Sequence, residues 1–149
     1  MKKILFIIIL LLTTTAGFAQ YTQKWNEIYK RTEFYDSYGI LQGYAKYNEV
    51  YKRLEYYDRY GKLLKTENYN NVYNRSETRD TYGGIQSTRN YNKVQDREEI
   101  RDNYGNIIGY KKWNEVYKRY DIYDGNSRLI GYYWWNAISN QWEYRQSGY

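Results

Sequence analysis

The chain has 149 residues, with no Cys, His or Pro, but 23 Tyr and 5 Trp. Without Cys or His it is denied disulfides, the usual zinc, haem and iron–sulfur ligand sets, and Ser-His-Asp or Cys-His catalysis. Its formal charge of +6 comes from interspersed signs, which predicts a solvated mixed surface and no nucleic-acid face.

In chain order, the first element is a targeting signal. Lys2 and Lys3 precede an apolar run from Ile4 to Leu12, followed by small and polar residues up to Ala19. A basic start, a short apolar stretch and a small residue before the cut describe a secretory signal peptide over 1–19, cleaved near Ala19. The run is short for a bilayer span, and no later segment is apolar enough, so no integral membrane segment is expected in the mature chain. The expected location is secreted, periplasmic or extracellular, with 20–149 as a single repeat domain.

From residue 25 onward one unit recurs every 22 residues. Asn26, Asn48, Asn70, Asn92, Asn114 and Asn136 each follow Trp or Tyr, and Val or Ile stands two places after each. Five places after each Asn comes Arg, except Gln141 in the last copy. Two further on is an acid: Glu33, Glu55, Glu77, Glu99, Asp121 and Glu143. A fixed period without insertions means one structural unit packed on copies of itself.

Two turn signals divide each unit. Asp-x-Tyr-Gly recurs at Asp36–Gly39, Asp58–Gly61, Asp80–Gly83 and Asp102–Gly105; the fifth copy has Asp124-Gly125-Asn126-Ser127 instead. Asp opens a tight turn and Gly supplies positive φ at its end. The second signal is Asn-x, read as a two-residue loop in which Asn takes the left-handed conformation. The runs between turns suit strands, and none has helical periodicity with caps. These signals predict an all-β, antiparallel meander of tandem 22-residue β-hairpin repeats, about six of them, with eleven strands counted from Trp25. At about 4.8 Å per strand, the sheet would be elongated and about 50 Å long, as a single layer or as a coiled or closed form, among which the sequence does not decide. A β-solenoid is the alternative, but it would stack the Arg column at about 4.8 Å, like charge upon like.

With these loops Tyr47 opposes Val50, Gly43 opposes Leu54, and Phe34 opposes Leu41. One face then carries two apolar stripes: aromatic and Val/Ile near the Asn turn, and Leu/Ile with Phe34, Tyr56, Ile100, Ile122 or Tyr144 near the Gly turn. On the other face Tyr44 lies between Arg31 and Arg53, Lys46 between Tyr29 and Tyr51, and Gln42 between Glu33 and Glu55. Ser76, Thr78, Asp96 and Glu98 make the stripe face of the third and fourth copies less apolar, which argues against a closed, well-filled barrel.

The stretch Tyr56 to Asn70, with Tyr-Tyr-Asp-Arg-Tyr-Gly-Lys-Leu at its start, resembles the MORN-repeat variant family. Those repeats are tandem hairpins of similar length with a Tyr-Asp-x-x-Gly-x-Leu core. The resemblance covers residues 25 to 149 and implies no catalytic residues. Choline-binding cell-wall repeats look similar, but their cage takes Trp and Tyr from successive hairpins, and most of those Trp positions are Tyr here.

The Arg-x-acid column has the residue types of a glycosidase carboxylate pair. However, the acids recur in every copy, whereas a catalytic centre should be a departure from the repeat. The expectation is therefore a non-enzymatic protein without cofactor or metal. The candidate binding surface is aromatic: Tyr44, Tyr51, Tyr110, Tyr117, Tyr132, Tyr133, Trp134, Trp135 and Trp142. The C-terminal aromatics also fit a cap on the terminal repeat. The expected function is a binding or adhesion module presenting an aromatic, Arg-rich sheet to envelope glycans or proteins. The alternative is an extracellular fibre or matrix subunit that self-associates through open sheet edges.

Overall fold

A computed structural model describes residues 22–147, so the signal segment lies outside the described residues. All its elements are strands: β1 (Thr22–Asn26), β2 (Arg31–Tyr35), β3 (Leu41–Asn48), β4 (Arg53–Asp58), β5 (Leu63–Asn70) and β6 (Arg75–Arg79). The second half repeats the pattern with β7 (Ile85–Asn92), β8 (Arg97–Asp102), β9 (Ile107–Asn114), β10 (Arg119–Asp124), β11 (Leu129–Asn136) and β12 (Gln141–Gln146). They form one antiparallel sheet in sequence order. The meander is thus as expected, with twelve strands, because β1 stands ahead of the first Asn turn and pairs with β2 across it.

Both loops differ in detail from the sequence reading. Asn48 pairs with Arg53 and Tyr47 with Leu54, so the Asn loop has four residues and not two. The left-handed residue is the fourth after Asn: Lys30, Lys52, Asn74, Asp96, Lys118 and Asn140, all with φ between 49 and 52°. Asn acts through its side chain instead. The Asn26 Oδ1 accepts from the backbone amides of Ile28 and Tyr29, both at 3.1 Å, and the same pair of bonds recurs in the other copies. An Asx-type bond to amides two and three residues on closes the loop locally.

At the other end Asp36 Oδ1 accepts from the amides of Tyr38 and Ile40, both at 2.9 Å. Gly39, Gly61, Gly83 and Gly105 have φ of 76 to 91°, where a Cβ would be strained. In the fifth copy Ser127 takes that conformation at φ 64°.

Each Gly hairpin also contains a β-bulge at the same place: Phe34/Tyr35, Tyr56/Tyr57, Thr78/Arg79, Ile100/Arg101 and Ile122/Tyr123. A bulge bends its strand and increases local twist. Five bulges at equivalent positions bend the sheet repeatedly in one sense. The sheet therefore curls into a nearly closed barrel in which β1 comes against β12, and Gln23 Nε2 donates to the Tyr133 hydroxyl at 3.0 Å. Of the open, coiled and closed forms that the sequence left undecided, the structure takes the nearly closed one, and its two edges face each other.

The inner face holds Phe34, Ala45, Leu54, Tyr56, Ile100, Ile122 and Tyr133, all buried. Its third and fourth copies are polar yet well connected. Tyr56 donates to Glu67 Oε2 at 3.0 Å, and Arg89 bonds Glu67. Arg89 also lies 3.4 Å from Glu98, which meets Lys111 at 2.6 Å. Tyr56 on β4, Arg89 on β7 and Tyr133 on β11 face one another closely enough for the Arg89 charge to act on both phenols. The expectation that polar residues here oppose closure is thus overturned: long ion-paired side chains fill the lumen where apolar ones are missing. Asp96 is not on this face at all but in its loop.

Candidate functional site

Most columns of the repeat can be assigned what they do for the fold. On the outer face every acid sits under a cover of polar side chains. Glu99 Oε1 accepts from Asn92 Nδ2 at 3.0 Å and from Arg97 Nε at 3.0 Å; its Oε2 accepts from Arg101 at 2.6 Å. In the first two copies Tyr35 and Tyr57 replace the second Arg and donate to Glu33 and Glu55 at 2.6 Å. The Asn that closes the loop therefore also donates to the acid seven residues on, at 2.6 to 3.1 Å throughout. These acids are structural hubs, which accounts for their presence in every copy.

Burial alone would push the Glu33, Glu55, Glu77 and Glu99 carboxyls up. Hydrogen bonds from Tyr, Asn and Arg outweigh it and hold all four below the ordinary value of 4.5. The Tyr57 hydroxyl moves the other way, to about 12, through its bond to Glu55 and its burial. Burial also raises Tyr56 and Tyr133. A lowered carboxyl contributes stability that is present above 4.5 and lost as pH falls through the folded value. A raised phenol contributes stability present below its ordinary 10.0 and lost as pH rises past it. Urea midpoints are therefore expected to be flat between about pH 5 and 9 and to fall on both sides. A midpoint still rising as pH drops below 4 would contradict the hub geometry.

The candidate aromatics separate into three groups. Tyr44, Tyr110, Tyr132 and Trp134 lie on the outer face, half-buried, as parts of the ladder. Tyr44 stacks on Tyr57 at 5.0 Å, with the Arg31 guanidinium 4.1 Å from its ring. Arg53 lies against Tyr51 instead, Lys46 comes opposite Glu55, and Gln42 donates to Asp36. Arg119 covers Tyr132 and Arg145 covers Trp134. Tyr51 and Tyr117 project from Asn loops. Tyr133, Trp135 and Trp142 are on the inner face: Tyr133 is buried deep, while Trp135 and Trp142 pack edge to face at 5.6 Å near the mouth. The nine residues are therefore not one surface.

Two columns remain without any role in the fold. One is the Tyr of Asp-x-Tyr-Gly: Tyr38, Tyr60, Tyr82 and Tyr104 are 79 to 97 % exposed. Turn chemistry needs the Asp and the Gly but not this ring. The other is the Val or Ile two places after Asn. Ile28, Val50, Val72, Val94, Val116 and Ile138 were expected on an apolar stripe; they stand at the loop tips, 83 to 98 % exposed. The longer loop lifts them out of the ladder. Just inside that same end are Trp25, Tyr47, Tyr69, Tyr91 and Trp135, each 39 to 57 % exposed. The sequence did carry a signal for both columns, since a side chain in a turn has no cross-strand neighbour to bury it.

The chain resembles in fold a protein from Arabidopsis thaliana. That crystal structure superposes with a TM-score of 0.63 at 11% sequence identity, covering 87% of this chain and 80% of the other. At such low identity the likeness shows the all-β fold alone. No family model matches the chain, and no significant match is found among curated proteins.

Proposed function

We propose that the chain is a secreted, non-catalytic binding module that holds an envelope glycan along the tyrosines of its Gly turns. The observation that carries this reading is the equal spacing of Tyr38, Tyr60, Tyr82 and Tyr104, each at the tip of a consecutive Gly hairpin. Successive tips lie two strands apart, about 10 Å. Identical apolar rings at equal steps suit a ligand that itself repeats, as a polysaccharide does, and an exposed aromatic face stacks on a sugar ring. A globular protein partner would present no such period. Arg59 lies 4.7 Å from the Tyr60 ring, and Lys62 follows in the same turn, so the arc also has basic groups for an anionic sugar. In this reading the aromatic surface is the rim of Gly turns, because the Tyr and Arg of the sheet face already satisfy one another. The hairpins themselves are read as a variant of the MORN type.

The test is retention of the mature protein on insoluble envelope polysaccharide and peptidoglycan, followed by affinity electrophoresis in soluble glycans. Replacing all four tyrosines by Ala is expected to abolish retention, and each single replacement to weaken it by about fivefold. The fold should be unaffected, since none of the four packs against the barrel. Wild-type protein that passes through every matrix, or a quadruple variant that binds as well as wild type, would refute the reading.

A further inference from the structure

The opposite end of the barrel, formed by the Asn loops, has a different chemistry. We propose that two copies of this chain dock end to end through their Asn loops, with the six aliphatic tips of one seated in the notches between the tips of the other.

The first support is that the tips are apolar and unused. Ile28, Val50, Val72, Val94, Val116 and Ile138 are almost fully exposed, and behind them the mouth is ringed by half-exposed Trp25, Tyr47, Tyr69, Tyr91 and Trp135. Exposed aliphatics scattered singly are ordinary, but six of them at equal steps around one end, over an aromatic mouth, mark an interaction surface.

Charge is the second support. Lys30 pairs with Glu27 at 2.8 Å, Lys52 with Glu49 at 3.0 Å and Lys118 with Glu115 at 2.6 Å. The third loop carries Asn71 and Asn74, the fourth Lys93 and Asp96, and the sixth Ala137 and Asn140. Every loop is thus formally neutral on a chain of +6. In an isologous pair a surface meets itself, so any net charge on it would be opposed by its own sign. Loop-by-loop neutrality removes that repulsion. An end built for an anionic lipid surface would leave its lysines unpaired.

Size is the third. Twelve strands about 4.8 Å apart and tilted by about 40° close on a ring of about 12 Å radius. With its side chains, the end face covers about 800 Å², and a stable pair buries about 800 Å² per partner. Around that ring the six tips recur about every 12 Å with a notch between each pair of hairpins, so a second crown turned by half a step can mesh with the first. The proposal uses the end remote from the Tyr arc and stands or falls separately from glycan binding.

Sedimentation velocity over a wide concentration range tests it. Wild type is expected to be a reversible dimer. A variant with Val50→Lys and Val116→Lys, and another with Val50→Glu and Val116→Glu, should each dimerise at least about tenfold more weakly. An equimolar mixture of the two should dimerise again. Far-UV circular dichroism, and melting curves taken at concentrations where wild type is monomeric, should match wild type in both, because the substituted side chains project into solvent. Replacing Tyr38 and Tyr82 by Ser at the other end should leave association unchanged. The proposal is overturned by a wild type that stays monomeric at all concentrations, by charged-tip variants that pair as wild type does, or by a mixture that fails to pair. Loss of pairing in the Tyr38/Tyr82 variant, or capture of monomeric wild type on phosphatidylcholine vesicles, overturns it as well.

Discussion

Replacing Arg89 by Met is expected to lower the stability of the barrel by about 3–5 kcal/mol, a large share of the 5–15 kcal/mol typical of a domain. Arg89 is the cation to which Glu67 is bound inside the lumen, and it also approaches Glu98. Met fills much of the same volume, so little of the loss would come from a cavity. The cost arises because Glu67 stays largely buried with the Tyr56 hydroxyl as a hydrogen-bond donor and no guanidinium beside it, leaving Lys65 as the nearby cation. Glu98 is less affected, since Lys111 remains at 2.6 Å. Adding Glu67→Gln to Arg89→Met removes the stranded charge and should recover most of the loss, leaving the double variant within about 1 kcal/mol of wild type. Urea denaturation of the three proteins measures this directly. A single variant that loses under about 1 kcal/mol would mean that water screens the lumen, and the account of how the third and fourth copies close the barrel would fail.

The second large effect is expected on the outer face, from Glu99→Ala. The carboxylate takes two bonds from Arg97, one from Arg101 and one from Asn92. Removing it leaves two guanidiniums near each other without a counter-ion. It also frees the Asn92 side chain, whose oxygen closes the next loop through the amides of Val94 and Gln95. Bonds to a charged acceptor are each worth about 1.5–3 kcal/mol. Both arginines keep some access to water and can be solvated, so the net loss should be about 2–3 kcal/mol and not the sum. Glu99→Gln keeps an acceptor oxygen and should cost about half as much. The pair also separates charge from shape. As pH falls through the folded value of the Glu99 carboxyl, which its hydrogen bonds hold below the ordinary 4.5, the gap between wild type and Glu99→Gln should shrink.

Parity along the strands was legible before any coordinates. Glu33 and Glu55 were placed outward, Phe34, Tyr56, Ile100 and Ile122 inward, and both assignments hold although the paired residues are different. Asn48 with Arg53 and Tyr47 with Leu54 differ from the expected register by an even step, and side-chain direction repeats every two residues. What stayed hidden was the loop itself. The left-handed position is filled by Lys30, Lys52, Asn74, Asp96, Lys118 and Asn140. Lysine in particular gives no signal of positive φ, while the conspicuous Asn exerts its effect through a side-chain oxygen. Two extra loop residues then move Val50 and its equivalents from a stripe to a tip. Curvature was hidden for a related reason. A bulge at Phe34/Tyr35 needs no Gly or Pro to announce it, and its effect is collective. The polar residues of the third and fourth copies could be read as weak packing until Arg89 was seen to reach Glu67 on another strand.

The bulges also have a consequence for how such a protein can evolve. In a stacked solenoid each added repeat lengthens the rod and leaves the others undisturbed. Here each 22-residue unit contributes a fixed angle of bend, and β1 meets β12 only because the angles accumulate to nearly one full turn. Repeat number is therefore not free. One unit fewer would leave a cleft that opens the lumen to water along its whole length. One unit more would force the last hairpin to ride over the first. The local geometry of a single kinked strand thus acts as a counter for the units that fit into one ring.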